Sequence, residues 1–170
     1  MYEKLIVKLL TSFSPEDVIT VEKLSKKLDI SRTTAKNYVK KLLSLGILER
    51  MKEGYSMTRD AVKLRETILA LKDRSGIAEA PYMFTDQSGI PLRLQVKSID
   101  QLYAVFKYRL VPEKLLMHHL KQGYIQAWLR DSLGAIDLAE LLDKACRISY
   151  DEVIEVLERY VALLAELSLI

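Results

Sequence analysis

Cysteine, asparagine and tryptophan each occur once in these 170 residues. No uncharged apolar run approaches the roughly 18 residues that a membrane-crossing helix needs. The lone cysteine, Cys146, excludes an intrachain disulfide and lacks the partners that structural zinc spacing demands, so it is expected as a buried thiol. The apolar start LIVKLL is broken by Lys8 and has no small-residue cleavage site. With no membrane span, this predicts a cytoplasmic protein that has no membrane partner. The sequence also lacks a glycine-rich phosphate loop, a nucleophile beside a base, and a motif pairing carboxylates for acid/base work. These absences argue against an enzyme and against a bound cofactor or metal. The two histidines, His118 and His119, are adjacent. On a helix they point about 100° apart and do not chelate one ion together, and no carboxylate or thiol at i+4 completes a site. A core histidine is the expectation. A single asparagine beside 29% charged residues fits a thermophilic source.

What is present is apolar surface and an uneven charge. At 49% hydrophobic composition the chain has enough for a core, and its length fits one domain or two small ones. The net charge of +3 hides an asymmetry: up to Gly76 there are 16 Lys+Arg against 10 Asp+Glu, and beyond it 10 against 13. A basic segment joined to an acidic one directs any polyanion to the first half.

The basic half has a recognisable order of elements. Leu5, Ile6, Leu9, Leu10 and Phe13 recur at helical spacing, and SPED interrupts them. Ile19 is a short extended lead-in to Thr20, an N-cap, with Glu22 in the first turn where the helix dipole favours an anion. The helix VEKLSKKL carries Val21, Leu24 and Leu28, then Leu28-Asp29-Ile30 turns tightly into Ser31, the next N-cap. In the third helix Ala35, Val39, Leu42 and Leu43 form one stripe while Arg32, Thr33, Lys36, Asn37, Lys40 and Lys41 project from the other faces. Arginine forks onto guanine, asparagine pairs bidentately with adenine, and threonine offers a methyl to thymine or a hydroxyl to phosphate. The same residues also suit a plain solvated face. Gly46 then caps the helix, ILERM has strand character, KEG turns tightly, and YSM returns antiparallel.

LSKKLDISRTTAKNYVKKLLSLGILER and the short hairpin KEGYSM resemble the winged helix-turn-helix superfamily of transcription regulators, over residues 1 to about 75. The resemblance implies a DNA-binding fold in which Ser31, Arg32, Thr33, Lys36, Asn37, Lys40 and Lys41 face a groove or its phosphates, with Arg50 and Lys52 near the wing. Some winged helices bind proteins instead of DNA. Thr58 caps a fourth helix whose Ala61, Leu64, Ile68 and Leu71 form a coiled-coil seam under two heptads long, too short to dimerise alone. DRSG ends it. The expected division is a winged helix-turn-helix at 1–75, a linker at 76–80 and a second domain at 81–170.

In the acidic half PYMFT and IPLRLQV flank DQSG, a hairpin pattern. Ser98 and Gln101 form a capping box before Leu102, Val105 and Phe106, and Pro112 opens a helix with Leu115, Leu116, His119 and Leu120 inward, closed by Gly123. Gly134 ends YIQAWLRDSLG, another helix covers 137–146, and Ser149 with Glu152 makes a second capping box for the last helix. Gly89, Ser98, His119, Gly123, Trp128, Gly134 and Leu138-Ala139 resemble a small uncharacterised domain family found mostly in archaea and thermophilic bacteria, over residues 81 to about 142. That family has an acid and an aromatic directly after the glycine, where this chain has Tyr124 and Ile125; the resemblance implies no activity. Trp128 is expected in the core.

In the last helix Val153, Leu157, Tyr160, Leu164 and Leu167 follow four-three spacing, and Ile154, Val156, Val161 and Leu163 widen the apolar face. A wide face needs two covers, read here as the domain's own core and a second subunit; a helix buried centrally in a monomer gives the same pattern. The sequence thus predicts a mainly α protein with small β-hairpins, a winged helix-turn-helix followed by a β-hairpin and helical domain. It acts as a homodimeric, sequence-specific DNA-binding transcription regulator. Its acidic half dimerises and receives a partner protein or small-molecule signal. The alternative is a winged-helix protein-interaction adaptor in a DNA-processing or transcription assembly.

Overall fold

The computed structural model describes residues 3–168. They form two compact units, Met1–Glu66 and Thr67–Ile170. The division falls inside a helix, ahead of the segment 76–80 expected as a linker. Ala78 in that segment is buried, and its N–H donates to the Lys97 carbonyl at 2.7 Å, within the second unit.

The first unit begins with α1 (Glu3–Ser12), α2 (Val21–Leu28) and α3 (Arg32–Ser44), followed by the antiparallel pair β1 (Leu48–Met51) and β2 (Gly54–Met57), and ends within α4 (Arg59–Asp73). Leu9, Leu10, Ile19, Leu24, Ala35 and Leu42 are fully buried and make its centre. Thr58 caps α4 by accepting from the Ala61 N–H at 3.2 Å. The short seam of α4 is covered by the chain: Ala61, Leu64, Ile68 and Leu71 are all buried. In the first unit Arg65 Nε donates to the Phe13 carbonyl at 3.0 Å, tying α4 to the exit of α1.

From Thr67 onward the chain adds the hairpin β3 (Tyr82–Thr85) and β4 (Pro91–Val96), then α5 (Ile99–Lys107), α6 (Glu113–Lys121), α7 (Tyr124–Leu133), α8 (Ile136–Ala145) and α9 (Tyr150–Ala165). Ser149 caps α9 as expected, accepting from Glu152 N–H at 3.1 Å. The Ser98 box does not form: neither of its two reciprocal bonds is made, and the glutamine reaches past the cap to the residue before it. The Ser98 hydroxyl makes no cap bond, while Gln101 Oε1 accepts from the Lys97 N–H at 2.8 Å. Pro112 sits one residue earlier than expected, as the N-cap of α6 and not its first residue. His119 is a core histidine: Nδ1 lies 2.5 Å from the Tyr82 hydroxyl and Nε2 2.9 Å from the Thr85 carbonyl, fastening the hairpin to α6. Trp128 is buried and donates from Nε1 to the Ala80 carbonyl at 2.9 Å. Cys146 is buried as well, and burial raises its thiol above the ordinary range, with the Asp143 charge adding to the effect.

The apolar face of α9 has both its covers inside the chain, because α5 packs on one flank and α8 on another. Val153, Leu157, Tyr160 and Leu164 are buried to within 2% exposure or less, and only Leu167 of the expected interface is half-buried. This corrects the reading of that stripe as a subunit contact, since four of its five side chains have no surface left to offer.

Two tyrosines in this unit make it sensitive to alkali. The Tyr160 hydroxyl donates to Asp137 Oδ2 in the interior, and burial, reinforced by that carboxylate, holds the phenol well above its ordinary value of 10.0. Burial, with Tyr124 adding to it, does the same to Tyr82. Both stay protonated while the unfolded chain begins to lose those protons near pH 10. Above that pH the unfolded state binds fewer protons, so stability falls as pH rises, by up to about 1.4 kcal/mol per unit for each tyrosine. Below it these groups add no pH dependence. Alkaline denaturation followed by phenolate absorbance should show both ionising only together with unfolding; ionisation of all tyrosines at pH 10 in a folded chain would contradict it.

Candidate nucleic-acid interface

The geometry of the basic face starts from three local stops. Thr20 is extended and accepts from the Lys23 N–H at 3.2 Å, which starts α2. Asp29, left-handed at φ 51°, closes α2, and aspartate tolerates that conformation through its short polar side chain. Ser25 then clamps the turn, its carbonyl accepting from the Ile30 N–H at 3.0 Å and its hydroxyl donating to the Ile30 carbonyl at 2.6 Å. Ser31 caps α3 through the Thr34 N–H at 3.1 Å. Between the helices Leu24 and Ala35 are fully buried, the small alanine allowing close approach. With Ala35, Val39 and Leu42 inward, Thr33, Lys36, Asn37 and Lys40 are left to face out.

The wing supplies the opposite wall. Arg50 pairs directly with Tyr55 across β1 and β2, so both side chains stand on one face of the ribbon, while the next pair, Glu49 and Ser56, takes the other face. Tyr55 is fixed further by a bridge to Ile19: Ile19 N–H donates to the Tyr55 carbonyl at 2.8 Å and Tyr55 N–H to the Ile19 carbonyl at 2.9 Å. The short extended lead-in expected at Ile19 is therefore a third, single-residue strand of the wing. Gly54 makes this approach possible. It sits at φ +146°, and a Cβ there would lie 2.7 Å from the Ile19 carbonyl oxygen.

Between α3 and the wing runs a groove of about 350 Å³, walled by Thr33, Lys36, Asn37 and Lys40 on one side and Arg50 and Tyr55 on the other. Three cations and three neutral hydrogen-bonding groups meet there, and no carboxylate lines it. Among the described residues, none of these six side chains makes a hydrogen bond or ion pair. Polar groups without an internal partner, gathered in one concavity, suit an external ligand with closely spaced acceptors and negative charge.

The remaining expected contacts are placed differently. Ser31 is spent on the cap. Lys41 is half-buried and already engaged within the chain. Lys52 lies at the tip of the wing, lining a separate cavity of about 650 Å³ with Val18, Arg50, Met51 and the carboxylate Glu53. Arg32 stands one turn before Lys36 on the same row of α3, but Glu22 holds it: Arg32 Nη2 is 2.6 Å from Glu22 Oε1. Sequence reasoning missed two participants. Tyr55 was legible from the hairpin, because a residue directly opposite Arg50 shares its face. Glu22 was not, because its contact depends on the turn that brings the two helix starts together.

Residues 3–56 match the family model of an HTH domain. The helix-turn-helix domain so identified contains α1, α2 and α3, and the β1–β2 hairpin after them makes it a winged one. In such domains the second helix of the motif, here α3, lies in the DNA major groove with its N-terminal residues toward base edges. The domain thus supports DNA as partner, and the unpartnered face of α3 is the one it would present. No curated protein and no solved structure matches the chain. None of the described helices is long and apolar enough to cross a membrane.

Proposed function

We propose that this protein is a sequence-specific, duplex-DNA-binding transcription regulator, a binding protein and not a catalyst, working as a homodimer. The observation that carries the DNA reading is the groove between α3 and the wing, where Lys36, Lys40 and Arg50 are collected beside Thr33, Asn37 and Tyr55 with no internal partners. Asn37 suits an adenine edge and Thr33 a thymine methyl or a phosphate; the cations and the Tyr55 hydroxyl suit the backbone. The homodimer needs a surface other than the buried stripe of α9. Tyr108, Leu110 and Ile148 of the second unit are apolar side chains exposed by 72%, 58% and 71% and remain available to it.

Selection of bound duplexes from random sequence tests this reading. Enrichment of one motif supports the regulator, a palindrome supports the dimer, and no enrichment favours the adaptor reading. Sedimentation at micromolar concentration tests the dimer directly, and a monomer there removes it.

The individual contacts have separable signatures. Asn37→Ala should weaken the selected site by roughly 1–3 kcal/mol and relax preference at one base pair. Lys40→Ala and Arg50→Ala should weaken all sequences alike and flatten the slope of log K against log salt by about 0.9 each. Tyr55→Phe should also weaken all sequences but leave the slope unchanged, since a neutral hydroxyl releases no counterion. A Tyr55→Phe protein that binds every duplex as the parent does would remove Tyr55 from the interface.

A further inference from the structure

The Arg32–Glu22 pair commits a cation at the N-terminal end of α3, beside the groove. Both side chains are exposed, 69% and 56% respectively, so burial does not force the contact. An exposed pair contributes little to stability, and Arg32 leads the row Arg32, Lys36, Lys40 at the N-terminal end of α3, the end that approaches base edges in a helix-turn-helix. We propose that Glu22 is a positioning residue for Arg32: it holds the guanidinium at a base edge and away from the phosphates. The proposal rests on the DNA reading above and assigns a source of its specificity.

Glu22 is suited to the task because it is itself anchored. It lies in the first turn of α2, and backbone N–H donation there, ahead of the Arg32 charge and the Thr20 hydroxyl, holds its carboxyl below the ordinary range. One Nη of Arg32 is occupied, and a guanidinium has five N–H donors in a planar fork, so others stay open to an acceptor pair such as guanine O6 and N7. A tethered arginine has less freedom to lose on binding a base. The carboxylate beside it also opposes its transfer to a phosphate oxygen and repels the backbone of any duplex. Glu22 therefore lowers affinity for DNA in general while raising discrimination, a pair of effects with opposite signs.

The experiment measures binding of the full chain to its selected duplex, to the same duplex with single base pairs exchanged, and to a random duplex across a salt series. Glu22→Gln keeps the size and polarity of the side chain. It should bind the random duplex several-fold more tightly at low salt, with a salt slope steeper by about 0.9 as Arg32 moves to a phosphate. Its preference for the selected base pair should fall about tenfold at one position, near the low end of what one bidentate base contact discriminates. Arg32→Ala should lose preference at that same position, and adding Glu22→Gln to it should change the preference no further. Glu22→Asp, which keeps the charge on a shorter arm, should melt as the parent does yet show reduced preference. A Glu22→Gln protein with parental preference and parental salt slope overturns the proposal and leaves the DNA reading standing. A parent chain that selects no sequence overturns both.

Discussion

Replacing Gly54 with alanine is expected to cost about 3 kcal/mol or more, because it combines a backbone conformation essentially reserved for glycine with a direct collision. At φ +146° the new methyl would stand 2.7 Å from the Ile19 carbonyl oxygen and 3.1 Å from Val18 Cγ1. The first of these neighbours is backbone, and it cannot swing aside as a side-chain end does. Relief requires the wing to leave Ile19, which breaks the two hydrogen bonds that place Tyr55 on the groove. Gly46 provides the contrast. It is also left-handed, at φ +67°, but nothing lies within 4 Å of its missing Cβ, so Gly46→Ala should cost only about 1 kcal/mol from the conformation itself. Amide exchange at Ile19 and Tyr55 during thermal melts would separate the two variants. Equal losses would mean that the close approach at Gly54 contributes nothing.

Truncating the seam of α9 is expected to unfold the second unit and not to dissociate subunits. Leu157 has no exposed surface and Leu164 only 2%, and removing such side chains typically costs 2–5 kcal/mol, roughly in proportion to the cavity left. Leu157→Ala should therefore lower the denaturation midpoint while leaving the sedimentation coefficient of the folded fraction unchanged. Leu157→Asp, which buries a charge without a partner, should yield insoluble or unfolded protein. A soluble, stably folded Leu157→Asp protein of smaller assembly size would restore the stripe as a subunit contact.

The sequence by itself determined most of the helix positions, because the signals that start and stop a helix act over three or four residues. Thr20, Ser31, Thr58 and Ser149 each accept from an N–H three positions on, and Asp29, Gly46 and Gly134 close their helices in left-handed conformations. The stripe of Ala35, Val39 and Leu42 in turn fixed which face of α3 remains free. Ser98 shows where local pattern falls short: the serine and glutamine are spaced for a box, yet the Ser98 hydroxyl makes no cap bond and Gln101 accepts from the Lys97 N–H, one residue before the cap. What covers an apolar face or approaches a charged side chain depends on elements distant along the chain, and periodicity holds no information about them. The wide face of α9 reads the same whether its second cover is a subunit or a helix of its own unit, and only the packing of α5 and α8 decided it. Glu22 and Arg32 are ten residues apart in sequence, too far for any helical spacing rule. It took the Ser25-clamped turn to bring the starts of α2 and α3 together, as it took the missing Cβ of Gly54 to lay Tyr55 along Ile19 and into the groove.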